Sequence, residues 1–493
     1  MSEALIVQLP ALCIVTLLFA APIAFVVSAR GARVVSVLTA VLETALAIAL
    51  AVAVASRGEL RYEIGGWGAP LGIDLVVDGI SAVLILLTSV VALGVTIYSV
   101  AYFGSDERYR LFWPLWLFLW GSLTALFSTN DAFNLYVCLE LVSVSAVALV
   151  SVAGSRSALT AAMRYMLAAV GGSLFYLLGV AMLYGAFGVL DLDALSTVAG
   201  NSPAGLVGLA LIVTGLVLKT ALVPLHFWLP PAHANAPAPV SAVLSALVVK
   251  GSFYVLLSII GVFSVSGAAD ALSTALGVLG AVAIVWGSVH ALMQSRLKML
   301  VAYSTVAQIG YLFILFGVTA ASGGTAPAAT AITAGVFHAV SHALAKSAMF
   351  LVAGTVLVRA GHDRIADLTG LVRTAPALVL AFGVAGVSML GLPPSGGFVS
   401  KWLYVSAALG STAWWWAIPV LIGGLLAGAY VFRVVGVFMR APVGEAVVLQ
   451  SAPAALTWVP LALAFASLFV GVLGQPVLDL IGPAAASLAG VGR

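Results

Sequence analysis

The sequence predicts an all-α integral membrane protein of about fourteen transmembrane helices, and three observations support it. Of 493 residues, 63% are hydrophobic and 8% charged, with a mean hydropathy of +1.20; an ordinary soluble domain is about 25% charged. Apolar stretches of about 20 residues, the length that crosses a bilayer, recur from end to end. No long polar segment interrupts them, so no separate soluble domain is expected. The net charge of +3 gives no reason to expect a nucleic-acid partner. Cys13 and Cys138 both sit in apolar runs and read as small core residues rather than a disulfide or a metal pair. The start, MSEALIVQLP, lacks a basic segment and carries Glu3, so it reads as the beginning of the first helix, not a cleaved leader.

Measured with the bilayer ruler, spans fall near residues 4–27, 34–56, 76–103, 111–127 and 132–153. They continue near 159–187, 205–229, 236–263, 271–292 and 299–318, and end near 326–358, 375–409, 413–438 and 453–482. Basic residues test this topology. With the N-terminus outside the cytoplasm, the inner loops hold Arg30, Arg33, Arg108, Arg110, Arg156, Arg164, Arg296, Lys298, Arg359, Arg364, Arg373, Arg433 and Arg440. The outer side holds Arg57, Arg61 and Arg493. Thirteen against three satisfies the positive-inside rule for a cytoplasmic-membrane protein with both termini outside.

The other four basic residues, Lys219, Lys250, Lys346 and Lys401, all lie within predicted spans. An amine at mid-membrane costs about 2.5–3.5 kcal/mol on insertion scales. Arginine stays charged, whereas a buried lysine can lose its proton near neutral pH. Lysine is therefore the cation to place where protonation must switch.

Glu140 lies in the fifth span, in FNLYVCLELVSVSAVAL, where facing a lysine would allow it to ionise. A static structural pair is the alternative, but one pair needs no further lysines. Lys219 and Lys250 flank KTALVPLHFWLPPAHANAPAPVSAVLSALVVK, whose Pro224, Pro230, Pro231, Pro237 and Pro239 break helical hydrogen bonding. Such a break is tolerated in a membrane only inside protein or along a wet cavity. His338, His342 and Lys346 follow at i, i+4 and i+8 and share one helix face. With no third ligand nearby, that stripe suits proton relay better than zinc. Lys401 sits in GLPPSGGFVSKWLY, where Pro393, Pro394, Gly396 and Gly397 break another span. The seventh and twelfth spans are thus both interrupted, each with a lysine by the break. An offset of five inverts orientation, which predicts an inverted repeat of spans four to eight and nine to thirteen.

The expected organisation is therefore an N-terminal three-helix segment (1–110), a first five-helix repeat (111–263), a second inverted repeat (270–440) and a C-terminal helix (441–493). Glu43, mid-way along the second span, has no place in this series; it faces another subunit or a polar cavity, or the span boundaries are off. His226 and His233 read as satisfying the broken backbone or lining its cavity, and His290 is ambiguous. Ser304, Thr305 and Gln308 near Tyr303 either extend a wetted path or bond between helices.

The stretch from Lys219 to Lys250, the run HAVSHALAKSAMFLVAG and the break GLPPSGGFVSK resemble the proton-translocating antiporter-like subunits. That family includes the D-type subunit of Mrp-type sodium/proton antiporters and related subunits of respiratory complex I and membrane-bound hydrogenases. The resemblance covers nearly the whole chain. It implies a fourteen-helix fold with inverted five-helix repeats and a relay in which Glu140 pairs with Lys219, Lys250 is central, His338, His342 and Lys346 bridge the halves, and Lys401 exchanges protons at the end. Two departures stand out: Pro231 replaces a frequent acidic residue, and Ser245 stands where a histidine is often found. Within the family, the stop after the fourteenth span and the lysine at 401 favour the Mrp D-type subunit.

The resulting expectation is a subunit of a multisubunit sodium/proton antiporter, with membrane partner subunits, protons and Na+ as its ions and the lipid bilayer as its solvent. It is a transporter subunit rather than an enzyme in its own right. The alternative is the pumping subunit of a redox complex; with no cysteine cluster or nucleotide loop, the chain is not the redox part itself. A free-standing carrier of organic solutes is disfavoured by four lysines in the membrane. Powering a carbon-uptake partner is a further role within the family. No cofactor and no metal are expected.

Overall fold

The computed structural model describes residues 3–69, 72–104, 106–200, 202–263, 267–441 and 449–491. Arg493, placed outside by the charge count, lies beyond the described residues. The chain begins with α1 (Glu3–Val26), α2 (Ala29–Arg57), a short hairpin of β1 (Leu60–Glu63) and β2 (Asp74–Val77), and α3 (Gly79–Phe103). Then come α4 (Phe112–Ser128), α5 (Ala132–Ser151), α6 (Arg156–Phe187), the short α7 (Leu192–Val198) and α8 (Pro203–Thr220). Beyond a non-helical stretch lie α9 (Leu229–Asn235), α10 (Ala238–Val243), a π-helical turn Leu244–Val248 and α11 (Val249–Val262). The second half holds α12 (Gly267–Met293), α13 (Leu297–Ser322), α14 (Ala326–Ala360), α15 (Leu371–Thr374), α16 (Pro376–Leu390), α17 (Gly396–Gly410), α18 (Ala417–Met439), α19 (Ala455–Val472) and α20 (Gln475–Leu488).

Among the described residues, thirteen helical segments are long and apolar enough to span a membrane. A further crossing is split: α16 and α17 have 15 residues each and meet across residues 391–395. The seventh predicted span is split likewise, between Thr220 and Leu229. Sequence and structure part company at the end of the chain. The expected span 453–482 is two helices, because Gly474 and Pro476 stop α19 and start α20. The hairpin also escaped the sequence reading; its four-residue strands, paired Leu60 to Val77, are too short for an alternation signal.

Side-chain caps set where many helices begin. Ser28, Asp78, Asp131, Ser155, Asp191, Ser202 and Ser395 each accept a backbone N–H from the first turn of the helix they precede. Helix faces pack closely where glycine permits. A Cβ on Gly172 would lie 2.8 Å from the Gly215 carbonyl oxygen, so α6 and α8 touch through backbone. That contact seats Lys219, near the end of α8, against α5 and α6.

The loops sort onto two faces. On one, Arg33 donates to the Gly104 carbonyl at 2.7 Å, Arg110 to those of Phe25 and Val27, and Arg359 to that of Gln450. Arg296 pairs with Asp363 at 2.8 Å on the same face. On the other, Arg61 binds Asp74 at 3.0 Å and also Asp193, tying the hairpin to α7. Burial of the Arg61 guanidinium lowers its affinity for a proton, but its bonds to Asp193 and Asp74 outweigh that and raise it. Lys298, counted with the loop cations, is a correction. It is 3% exposed and its Nζ turns inward to the Ala236 carbonyl. It starts a helix, so a loop assignment by sequence position missed its direction.

Candidate functional site

Each half of the chain contributes a broken helix and buried amines. α8 ends at Ala221, which takes a left-handed conformation (φ 59°). The non-helical stretch that follows is anchored by Trp228. Its Nε1 donates to the Leu218 carbonyl at 2.9 Å and its ring stacks on Tyr165 at 4.2 Å. This fixes Lys219 beside Glu140: Nζ lies 3.0 Å from Glu140 Oε1 and 2.9 Å from Ser143 Oγ. Ser173 donates to the same carboxyl oxygen. The Lys219 side chain is 4% exposed and that of Glu140 28%.

The other lysines are held differently. Among the described residues, no lysine besides Lys219 pairs with a carboxylate. Lys250 donates to the Ser245 carbonyl at 2.5 Å, within the π-helical turn. A π turn shifts the backbone ladder and is frequent at functional sites. Lys298 donates to the Ala236 carbonyl, between α9 and α10. Lys346 donates to the Val301 carbonyl at 2.7 Å and to Ser304 Oγ. Lys401 donates to the Met389 and Leu390 carbonyls, both at 2.8 Å, at the open end of α16. Carbonyls left unpaired at helix breaks are thus used to seat amines. A carbonyl accepts from an ammonium and from a neutral amine alike, so these seats survive loss of a proton.

α13 links the seats. Its buried Val301, Ser304, Thr305, Gln308 and Tyr311 follow one another at spacings of one to three residues along a face. Val301 and Ser304 meet Lys346. The Thr305 hydroxyl lies 2.9 Å from that of Ser245, whose carbonyl holds Lys250. The Tyr311 ring lies 5.2 Å from the His338 ring and 4.6 Å beneath Lys401 Nζ. His338 and His342 stack in parallel at 5.7 Å, and His338 Nδ1 is 3.3 Å from Ser400 Oγ, next to Lys401. Both ring nitrogens of His342 are buried without hydrogen-bond partners. Such groups call for ordered water or transient protons.

Six of the seven sequence-derived candidates are buried in the protein interior, while the Glu140 side chain is 28% exposed, and the structure adds Lys298, Ser304, Thr305 and Tyr311 to them. His233 is fully buried, its ring stacked on Phe350 at 4.9 Å, and it lines the interior beside the break. His226 and His290 fall outside the axis. They cluster with Trp286 at the protein's edge, Trp286 Nε1 donating to His226 Nε2 at 3.2 Å. No direct contact joins Lys219 to Lys250 among the described hydrogen bonds, so water must bridge any transfer there. We expect Thr305→Val to cut the Ser245 link and lower transport about tenfold. Its stability cost should be about 1 kcal/mol. Proton flux in vesicles and thermal denaturation would check this, and Thr305→Ser should restore flux.

Fold and interior together define a polytopic helical membrane protein with buried lysines in both halves and a pair of buried histidines in the second. Residues 129–427 match the family model described as NADH:quinone oxidoreductase/Mrp antiporter, transmembrane, and residues 67–113 match that of the complex I chain 5 N-terminus. The chain belongs to the NADH:quinone oxidoreductase/Mrp antiporter transmembrane family. It is 39% identical over 388 residues to NADH-quinone oxidoreductase subunit N of Desulforudis audaxviator, covering 77% of this chain and 75% of that one. It is 27% identical to the D-type subunit of the Na(+)/H(+) antiporter of Bacillus subtilis, covering 84% and 82%. A chain of the Mrp complex from a Dietzia species superimposes with a TM-score of 0.89 at 25% identity, covering 99% and 98%.

Proposed function

We propose that the chain is the proton-translocating subunit of a multisubunit sodium/proton antiporter. Protons pass along Glu140, Lys219, Lys250, the His338–His342–Lys346 stripe and Lys401, with Lys298 beside the first break. The observation that supports this most is the seating of four buried lysines on carbonyls and hydroxyls alone, strung along α13. Each seat tolerates both protonation states, and each neighbour's charge biases the next. Moving one charge against 100 mV costs about 2.3 kcal/mol, which a change at one ion pair such as Glu140–Lys219 can supply. The arginine-rich face is cytoplasmic in this reading, and both termini lie outside. Spans four to eight (111–263) and nine to thirteen (270–440) form the inverted repeat, each with a lysine by its broken helix, and further membrane subunits complete the transporter.

A second reading, the pumping subunit of a redox complex, is favoured by the 39% identity to a subunit N. Purification in mild detergent with identification of every co-purifying subunit separates the two. Small membrane partners, together with sodium-driven proton movement in vesicles, support the antiporter. Iron–sulfur partners, and flux indifferent to sodium, overturn it in favour of the redox complex.

A further inference from the structure

Glu43 lies outside the lysine axis, at the middle of α2. It is fully buried, and neither carboxyl oxygen has a nitrogen or oxygen hydrogen-bond partner, only the Cys13 thiol beside it. α2 packs on α1, α3, α4 and α20. The titratable and charged groups on those helices are few. α1 brings Glu3 at its start and the Cys13 thiol, the polar group beside the carboxyl. α3 brings Tyr98 and Tyr102, α20 brings Asp479, and α4 none. On α2 itself the nearest cations are Arg33, ten residues away or about 15 Å, and Arg57, about 21 Å away. No cation within reach balances a carboxylate there. A buried charge without a partner costs far more than a neutral group, so the site requires a neutralising cation, and a proton is the one that needs no further ligands.

Other orphans accompany it. Ser36 Oγ, seven residues or two turns along the same face of α2, is buried and unpartnered. So are Ser89 Oγ on α3, whose carbonyl accepts from Thr44 next to Glu43, and Trp120 Nε1 on α4. Ser36 lies between Glu43 and the arginine-rich end of α2, where that helix begins. An unpaired hydroxyl between one face and a buried acid is a position that ordered water satisfies.

We propose that Glu43 is a second proton-binding site, separate from the lysine axis, which exchanges its proton with the arginine-rich face past Ser36. The inference stands apart from the transport reading and its test reads no flux. Infrared spectra of the full chain, purified in its complex and returned to lipid, should contain a carboxylic-acid carbonyl band that Glu43→Gln removes. Transfer to D2O should shift that band, and Ser36→Ala should slow the shift several-fold. A carboxylic-acid carbonyl region unchanged by Glu43→Gln overturns the proposal, because the group is then ionised. A band that ignores D2O also overturns it, because the acid is then sealed. Should Glu43→Gln fail to assemble, dicyclohexylcarbodiimide on the unsubstituted complex decides by mass spectrometry. This apolar reagent adds whole to protonated carboxyls; an adduct on Glu43 supports the site, and an unmodified Glu43 overturns it.

Discussion

Lys219→Arg should silence proton flux while keeping the ion pair with Glu140. Arginine retains the positive charge and the reach to a carboxylate 3.0 Å away, but it does not give up its proton in proteins. If the pair is only structural, Lys219→Arg works nearly as well as lysine. If Lys219 hands protons on, flux falls at least a hundredfold, equivalent to about 3 kcal/mol on the barrier. Lys219→Ala should abolish flux by a second route, leaving Glu140 with Ser173 as its remaining partner. Both variants should reach the membrane in normal amounts, because the side chain sits at the end of α8 and its loss leaves the α6–α8 backbone contact intact. Flux in inverted vesicles, normalised to the amount of protein, checks this. Wild-type flux in Lys219→Ala would remove the pair from the pathway altogether.

The series of spans was legible because lipid forces one physical rule on every helix: about 20 apolar residues, with cations pushed to the ends. Against that background each intramembrane lysine stood out, as did the proline-rich breaks beside Lys219 and Lys401. Lys298 did not, because it lies two residues after Arg296 at a helix start. A compositional signal could have found it: arginine serves the membrane faces throughout this chain, while all five lysines are buried. What holds those lysines was beyond the sequence. Their partners are mostly backbone carbonyls, present at every residue alike, and only the folded chain shows which ones the π turn at Leu244–Val248 and the end of α16 leave free. The role of α13 as a spine was half visible in Ser304, Thr305 and Gln308. Hydroxyls between helices are common enough that only the contacts to Lys346 and Ser245 single these out.

Lys401 should be as critical as Lys219, for a different reason. Its Nζ closes the open end of α16 through the Met389 and Leu390 carbonyls and rests on the Tyr311 ring, one residue from the Ser400 contact to His338. Lys401→Ala removes both the carrier and the donor that satisfies those carbonyls. Flux should fall at least a hundredfold, equivalent to about 3 kcal/mol. Leaving buried carbonyls unpaired should also cost about 1–3 kcal/mol of stability each, visible as a lower thermal midpoint. Lys401→Arg separates the two effects. The guanidinium can still donate to the carbonyls, so stability should largely return, but a permanently charged group cannot pass its proton on, so flux should not. Recovery of flux with Lys401→Arg would reduce Lys401 to a structural cap of α16 and place the end of the proton path at the His338–His342 pair instead.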